Sequence, residues 1–234
     1  MKHDERPQLI VVAGPNGAGK SSISKYISSP DALIFDPDRE FKRLEIKYPD
    51  LPAESIAYAT DTYFLDQVDF VLMNRRSFTI ETNFRDAGLM DTVTRFKDAG
   101  YVTGMVYMLL PIIAQSIERV KNRVREGGHF VDEQSIRYNF SEGRKNLVFF
   151  SDRFDNLELL DSSGAPEKAQ SLLRIHQHKL IYEQSHKPDW AKDLFTEFNN
   201  RYERGTAREA WEPKLDLGWK RDDDDVTRSR GLSL

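Results

Sequence analysis

The chain has 234 residues and not one cysteine. Disulfides, thiolate nucleophiles and cysteine-ligated metals are thereby excluded, and a zinc site would have to be built from His and carboxylates. A long apolar run is also missing: no stretch approaches the roughly 20 residues that a membrane-spanning helix needs. The apolar run at 9–13 is too short for a signal-peptide core and leads straight into glycines. A cytoplasmic protein without membrane contact is therefore expected. Nor is there an excess of positive charge, with 34 Lys+Arg against 38 Asp+Glu and a net charge of -4. A general polyanion binder is disfavoured, and nucleic acid is not an expected partner. What is present is a globular composition, 39% hydrophobic and 11% aromatic, enough to bury a core without cross-links.

Through residue 165 short apolar runs alternate with amphipathic stretches, the pattern of an α/β domain. Strands are predicted at 9–13, 33–35, 78–82, 102–110 and 157–160. Helices are predicted at 20–28, 39–47, 53–76, 87–98, 112–126 and 132–150. The strands are almost wholly apolar, as in a parallel sheet covered on both faces. The expected core is a parallel five-stranded sheet flanked by helices, in a domain spanning 1–165. Residues 166–205 read as a hairpin (171–176 and 179–183, His178 near its turn) and a helix (190–202), both packed on that domain. Residues 206–234 end in RDDDDVTRSRGLSL, a charge-blocked segment that reads as a flexible tail.

The strongest chemical signal is the run Gly14, Pro15, Asn16, Gly17, Ala18, Gly19, Lys20, Ser21, Ser22. It fits G-x-x-x-x-G-K-[ST], with an apolar strand before it and a helix-compatible stretch after it. The glycines let the backbone curl so that several N–H groups and a helix N-terminus converge on one anion. Lys20 then reaches the β- and γ-phosphates, and Ser21 offers its hydroxyl to Mg²⁺. This is a nucleotide-binding phosphate loop, for ATP or GTP with Mg²⁺, and a plain glycine-rich turn is the weaker reading.

Three further segments narrow the class. Ile34-Phe35-Asp36-Pro37-Asp38 closes the second strand and Thr79-Ile80-Glu81-Thr82-Asn83-Phe84 the third. An arginine-rich stretch, Arg119-x-x-x-Arg123-x-Arg125-Glu-Gly-Gly-His129-Phe-Val131, follows the fourth. In this order, over about residues 8–162, they resemble the zeta-toxin family of P-loop kinases, in its chromosomal branch. The resemblance implies a nucleotide-kinase fold and phosphorylation of the sugar 3′-hydroxyl of UDP-N-acetylglucosamine. It also implies a small helical antitoxin as protein partner. The aspartate that deprotonates the acceptor hydroxyl in that family matches Asp38, and its lid arginines match Arg123 and Arg125. The ETNF and GGH segments depart from the well-known toxins, which leaves the acceptor open.

The residues support this chemistry on their own terms. Asp38, beyond a strand's C-terminal end, is a candidate general base; its other reading is a helix cap. Asp36, before a proline, reads as the start of a turn. Glu81 sits where a strand-end carboxylate serves the metal or the substrate, so Ser21 and Glu81 are the metal candidates. Thr82, Asn83 and Arg85 join Asp38 and Glu81 as acceptor contacts. Arg123 and Arg125, ahead of two glycines, suit a lid that neutralises transition-state charge; a solvated basic face is the alternative. Two rival functions remain: a nucleotide-hydrolysing switch without transfer, and a nucleic-acid end kinase, which would want a basic groove with stacking aromatics.

Overall fold

The computed structural model describes residues 6–165 and 168–205. The elements run β1 (Gln8–Ala13), α1 (Lys20–Ile27), β2 (Leu33–Phe35), α2 (Pro37–Lys47), α3 (Ala53–Asn74), β3 (Phe78–Thr82), α4 (Leu89–Asp98), β4 (Val102–Leu109), α5 (Ile113–Arg125), α6 (Glu133–Phe150), β5 (Asn156–Asp161), β6 (Gln170–His176), β7 (Lys179–Glu183), α7 (Lys192–Arg201) and β8 (Glu203–Arg204). They build one eight-stranded sheet in the order β2-β3-β1-β4-β5-β6-β7-β8.

This corrects the expected five-stranded parallel sheet. The first five strands are indeed parallel. However, β6 pairs antiparallel with β5, β7 antiparallel with β6, and β8 parallel with β7, so the sheet is mixed. The hairpin was legible, but not what it pairs with. Its turn residues Gln177 and His178 both take left-handed backbone, at φ 46° and 62°, the geometry of tight hairpin turns. The inward side chains Leu173 and Ile175 then continue the row begun by Leu157 and Leu159. An edge left at β5 would expose unpaired backbone N–H and C=O groups; β6 covers it. The tail expected at 206–234 lies outside the described residues.

Alternation along the central strands explains the layers. On β4, Met105, Tyr107 and Leu109 enter one core layer while Val106 and Met108 enter the other. On β1, Leu9 and Val11 face the first and Ile10 and Val12 the second. The first layer is closed by α3, α4 and α7 through Val68, Val71, Phe96, Phe195 and Phe198, the second by α1 through Ile23 and Ile27. On β3 only Phe78 and Ile80 are apolar and join the first layer. Thr79 and Glu81 face α1 instead. Among the described residues no helix is long and apolar enough to cross a membrane.

Candidate active site

The phosphate loop lies at the C-terminal end of β1, where the chain has strands on either side and open α/β sheets bind their ligands. Gly14 is required there: its φ is +145°, and a Cβ would stand 2.5 Å from the carbonyl oxygen of Met108. Gly19, left-handed at φ 94°, turns the chain into α1. Asn16 is held from two sides. Its carbonyl accepts from the Ser116 hydroxyl at 2.5 Å, and its Oδ1 accepts from Nδ2 of the buried Asn139 at 2.8 Å. Lys20 Nζ donates to the carbonyls of Gly14 and Pro15 at 2.9 and 3.2 Å and to Asn83 Oδ1 at 2.8 Å. Burial brings its pKa down to about 8, against the upward pull of Asp38, Glu81 and Asp36, and Arg123 lowers it further.

Parallel register puts the carboxylates beside the loop. Val12 pairs with Glu81 and Ala13 with Thr82, while Phe35 pairs with Ile80. Glu81, on β3, and Asp36, just past β2, therefore stand level next to α1. Glu81 is 4% exposed. Its Oε2 accepts from Ser21 Oγ at 2.6 Å and its Oε1 from Ser24 Oγ at 2.6 Å. Burial raises its pKa; the two serine hydroxyls oppose the rise and the Asp36 charge adds to it. Asp36 Oδ2 is 3.5 Å from the same Ser21 Oγ. Serine hydroxyl and carboxylate oxygens are the donors that suit Mg²⁺, which takes one or two protein ligands and completes its shell with substrate phosphates and water. Among the described residues no group of three or more His, Asp or Glu gathers to hold a metal alone. The donor set thus fits a cation that arrives with a nucleotide.

Asp36, not Asp38, caps α2: its Oδ1 accepts from the backbone N–H groups of Asp38 and Arg39 at 3.0 and 3.2 Å. Asp before Pro at the first helical position is a helix-start signal, so this role was within reach of the sequence. The capping alternative for Asp38 falls, and its side chain, in the first turn of α2, lines a cavity of about 600 Å³. Glu81, Thr82, Asn83 and Arg85 line the same cavity. Asn83 departs from expectation in its partner, since its Oδ1 is bonded to Lys20. Ser22 is exposed on α1.

The two arginines expected to form a lid part company. Arg123 lies close enough to Lys20 to lower its pKa, donates from Nη2 to the His129 carbonyl at 3.0 Å, and keeps a buried Nε with no partner. Arg125 is exposed and, among the described residues, bonds only Asn122 Oδ1, at 3.3 Å. Arg119 braces the loop: its guanidinium donates to the carbonyls of Gly17, Ser162, Ser163 and Gly164. His129, Phe130 and Val131, which follow these arginines, line the cavity. Asn139 and Ser24 were not anticipated. Both sit on helices where a lone Asn or Ser carries no pattern, and only the packing shows what each faces.

A parallel core strand ending in a phosphate loop, with an aspartate pair just past β2 whose first member caps α2, defines a P-loop nucleotide-binding protein of the kinase type. The chain belongs to the zeta-toxin family, whose model matches residues 1–164. Similar solved structures include the PezAT chromosomal toxin–antitoxin system of Streptococcus pneumoniae, at TM-score 0.56 and 15% identity over 86% of this chain and 87% of that one. A structure of AvrRxo1-ORF1:-ORF2 with ATP matches at TM-score 0.59 and 15% identity over 91% of this chain and 76% of that one. A chain of the Pnkp1/Rnl/Hen1 RNA repair complex matches at TM-score 0.52 and 19% identity, over 66% of this chain. This chain spans about half of that one, 49%. The last likeness corrects the expectation that set nucleic acid aside. The same fold occurs within an RNA repair assembly, so a net charge of -4 does not exclude such a partner; net charge averages over a surface and says little about one cleft.

Proposed function

We propose that the protein is a Mg·ATP-dependent phosphotransferase that passes the γ-phosphate to a hydroxyl group held in the cavity beside Asp38. The observation that carries the reading is the placement of Asp38. A carboxylate opens onto one cavity together with Glu81 and Asn83, the residues that hold Ser21 and Lys20. Phosphoryl transfer asks a protein mainly for alignment and charge neutralisation. Here the phosphate-loop N–H groups and Lys20 bind the phosphates, and Ser21 and Glu81 hold the cation, which neutralises phosphate charge when bound. Asp38 accepts the proton of the attacking hydroxyl, and Arg123 closes on the charge that develops at the transferring group.

The family resemblance supports UDP-N-acetylglucosamine or a related nucleotide-sugar as acceptor. The likeness to an RNA repair component supports a second reading, a terminal hydroxyl of a polynucleotide. A mass-spectrometric transfer assay with Mg·ATP separates them by offering a nucleotide-sugar panel and a 5′-hydroxyl oligonucleotide. Wild type is expected to phosphorylate one class. Asp38→Asn is expected to bind ATP normally and to transfer at least about 100-fold more slowly. Transfer by Asp38→Asn at the wild-type rate would remove Asp38 as base. ATP hydrolysis without any phosphorylated acceptor would favour a nucleotide-driven switch.

A further inference from the structure

Helix α1 presents a polar edge that the phosphate loop does not require. Ser21 and Ser24, at i and i+3, share one face of α1, and Ser28, its C-cap, continues the same edge. They meet the polar face of β3, where Thr79 and Glu81 are two residues apart and so share a side. The spacings match: four helical residues rise about 6 Å, and two strand residues advance about 6.6 Å. Two rungs result. Ser28 Oγ pairs with Thr79 Oγ1 at 2.7 Å, and Ser24 Oγ donates to Glu81 Oε1 at 2.6 Å. Ser24 is fully buried at 0% exposure, and Glu81 is at 4%.

We propose that Ser24 is a positioning residue for the cation site, acting through Glu81 on Ser21. A carboxylate has two oxygens and rotates about its last bond. Ser24 occupies Oε1 and thereby fixes the plane, leaving Oε2 to take the proton of the Ser21 hydroxyl at 2.6 Å. With that proton directed at Glu81, the lone pairs of Ser21 Oγ are turned outward to where a cation carried by a nucleotide would sit. Without Ser24, a buried carboxylate oxygen has no partner, a costly state that rotation relieves. Rotation breaks the Ser21 bond and releases its hydroxyl. Hydrogen-bond partners behind a metal ligand are worth between about 10- and 100-fold in metal affinity. The proposal rests on the reading of Ser21 and Glu81 as the cation's protein ligands.

The test uses the full chain and ADP as probe, with binding followed by calorimetry in EDTA and at stepped Mg²⁺ concentrations. Ser24→Ala is expected to bind ADP in EDTA like wild type, because the loop N–H groups and Lys20 are untouched. The Mg²⁺ concentration that half-restores tight binding is expected to rise about tenfold or more. Ser28→Ala is the control. It removes the hydroxyl at the C-cap of α1, bonded to Thr79 and to the backbone carbonyl of Ser24 but not to Glu81, so it takes the structural loss at this edge without the shift in Mg²⁺ dependence. Thermal unfolding of both metal-free variants measures that loss. An unshifted Mg²⁺ curve for Ser24→Ala, or the same shift in Ser28→Ala, overturns the proposal. A wild type whose ADP binding ignores Mg²⁺ overturns the cation reading itself, and the proposal with it.

Discussion

Lys20 is one ammonium with three N–H groups, and all three are engaged. Nucleotide must therefore exchange at least one internal bond for a phosphate oxygen. Its pKa of about 8 gives the binding a pH signature. The charged form binds phosphate and is complete below that value; above it the free protein loses the charge. Nucleotide affinity is expected to weaken by up to about tenfold per pH unit as pH rises beyond about 8, which a titration of ADP binding at alkaline pH, where the nucleotide's own charge is constant, would show. Arg123 and Arg125 separate at the same scale. Arg123→Ala is expected to lower turnover at least about tenfold while changing nucleotide affinity less than about threefold, because a lid arginine acts on the transition state. Arg125→Ala is expected to leave both near wild type, and steady-state kinetics with direct binding would tell the two apart. Sequence spacing placed both arginines near the helix end, but not which one turns inward. That depends on Arg123 packing against Gly128, where a Cβ would stand 2.5 Å from its Cγ.

Helix α6 comes close to the loop after β3 at one residue without a side chain. A Cβ on Gly143 would stand 2.5 Å from the Asn83 carbonyl and 2.8 Å from the Tyr107 hydroxyl. Two effects of Gly143→Ala oppose each other. Helix propensity favours alanine by about 1 kcal/mol. Overpacking against a backbone oxygen costs about 1–3 kcal/mol and here cannot be relieved by a flexible side chain. The clash wins: a net loss of about 1 kcal/mol in urea unfolding is expected, with weaker nucleotide binding because Asn83 holds Lys20. The loop cannot easily yield. Phe84 is left-handed at φ 55° with its ring 1% exposed, and its carbonyl accepts from Asn146 at 3.0 Å. The sequence marked Thr82, Asn83 and Arg85 as site residues, but their backbone constraint comes from a helix about 60 residues on.

At the scale of the molecule, the late hairpin and α7 complete the sheet and close one core layer, and Glu183 fastens them. It accepts from Lys187 at 2.5 Å, Arg204 at 2.6 Å and Asn199 at 2.7 Å. Burial alone would raise its pKa; these partners outweigh it and hold the group at about 2 against an ordinary 4.5. A depressed carboxylate stabilises the fold fully above its unfolded pKa and loses that contribution as pH falls toward the folded one. Glu183→Gln is expected to cost about 2 kcal/mol at pH 7. The difference from wild type should shrink between pH 4.5 and 2, as read from urea midpoints across pH. Because β5 and β6 share one row of buried side chains, unfolding at neutral pH is expected as a single transition by calorimetry.

Parts whose contacts are local can be read from the amino-acid order alone. Strand, phosphate loop and helix follow one another without a break from Gln8 to Ile27, so apolar runs, glycines and the Lys20-Ser21 pair sufficed to read them. The Asp36-Pro37-Asp38 start of α2 is local in the same sense, although the pattern offered a cap only as the other reading of Asp38 and the cap is Asp36. Features that depend on distant partners emerge with the folded chain: that β6 extends the sheet antiparallel to β5, that Arg123 rather than Arg125 turns toward Lys20, and that Ser24 answers Glu81. Pairing across a sheet and between a helix and a strand is selected by shape, burial and hydrogen bonding among residues far apart in the chain. No local pattern carries that choice.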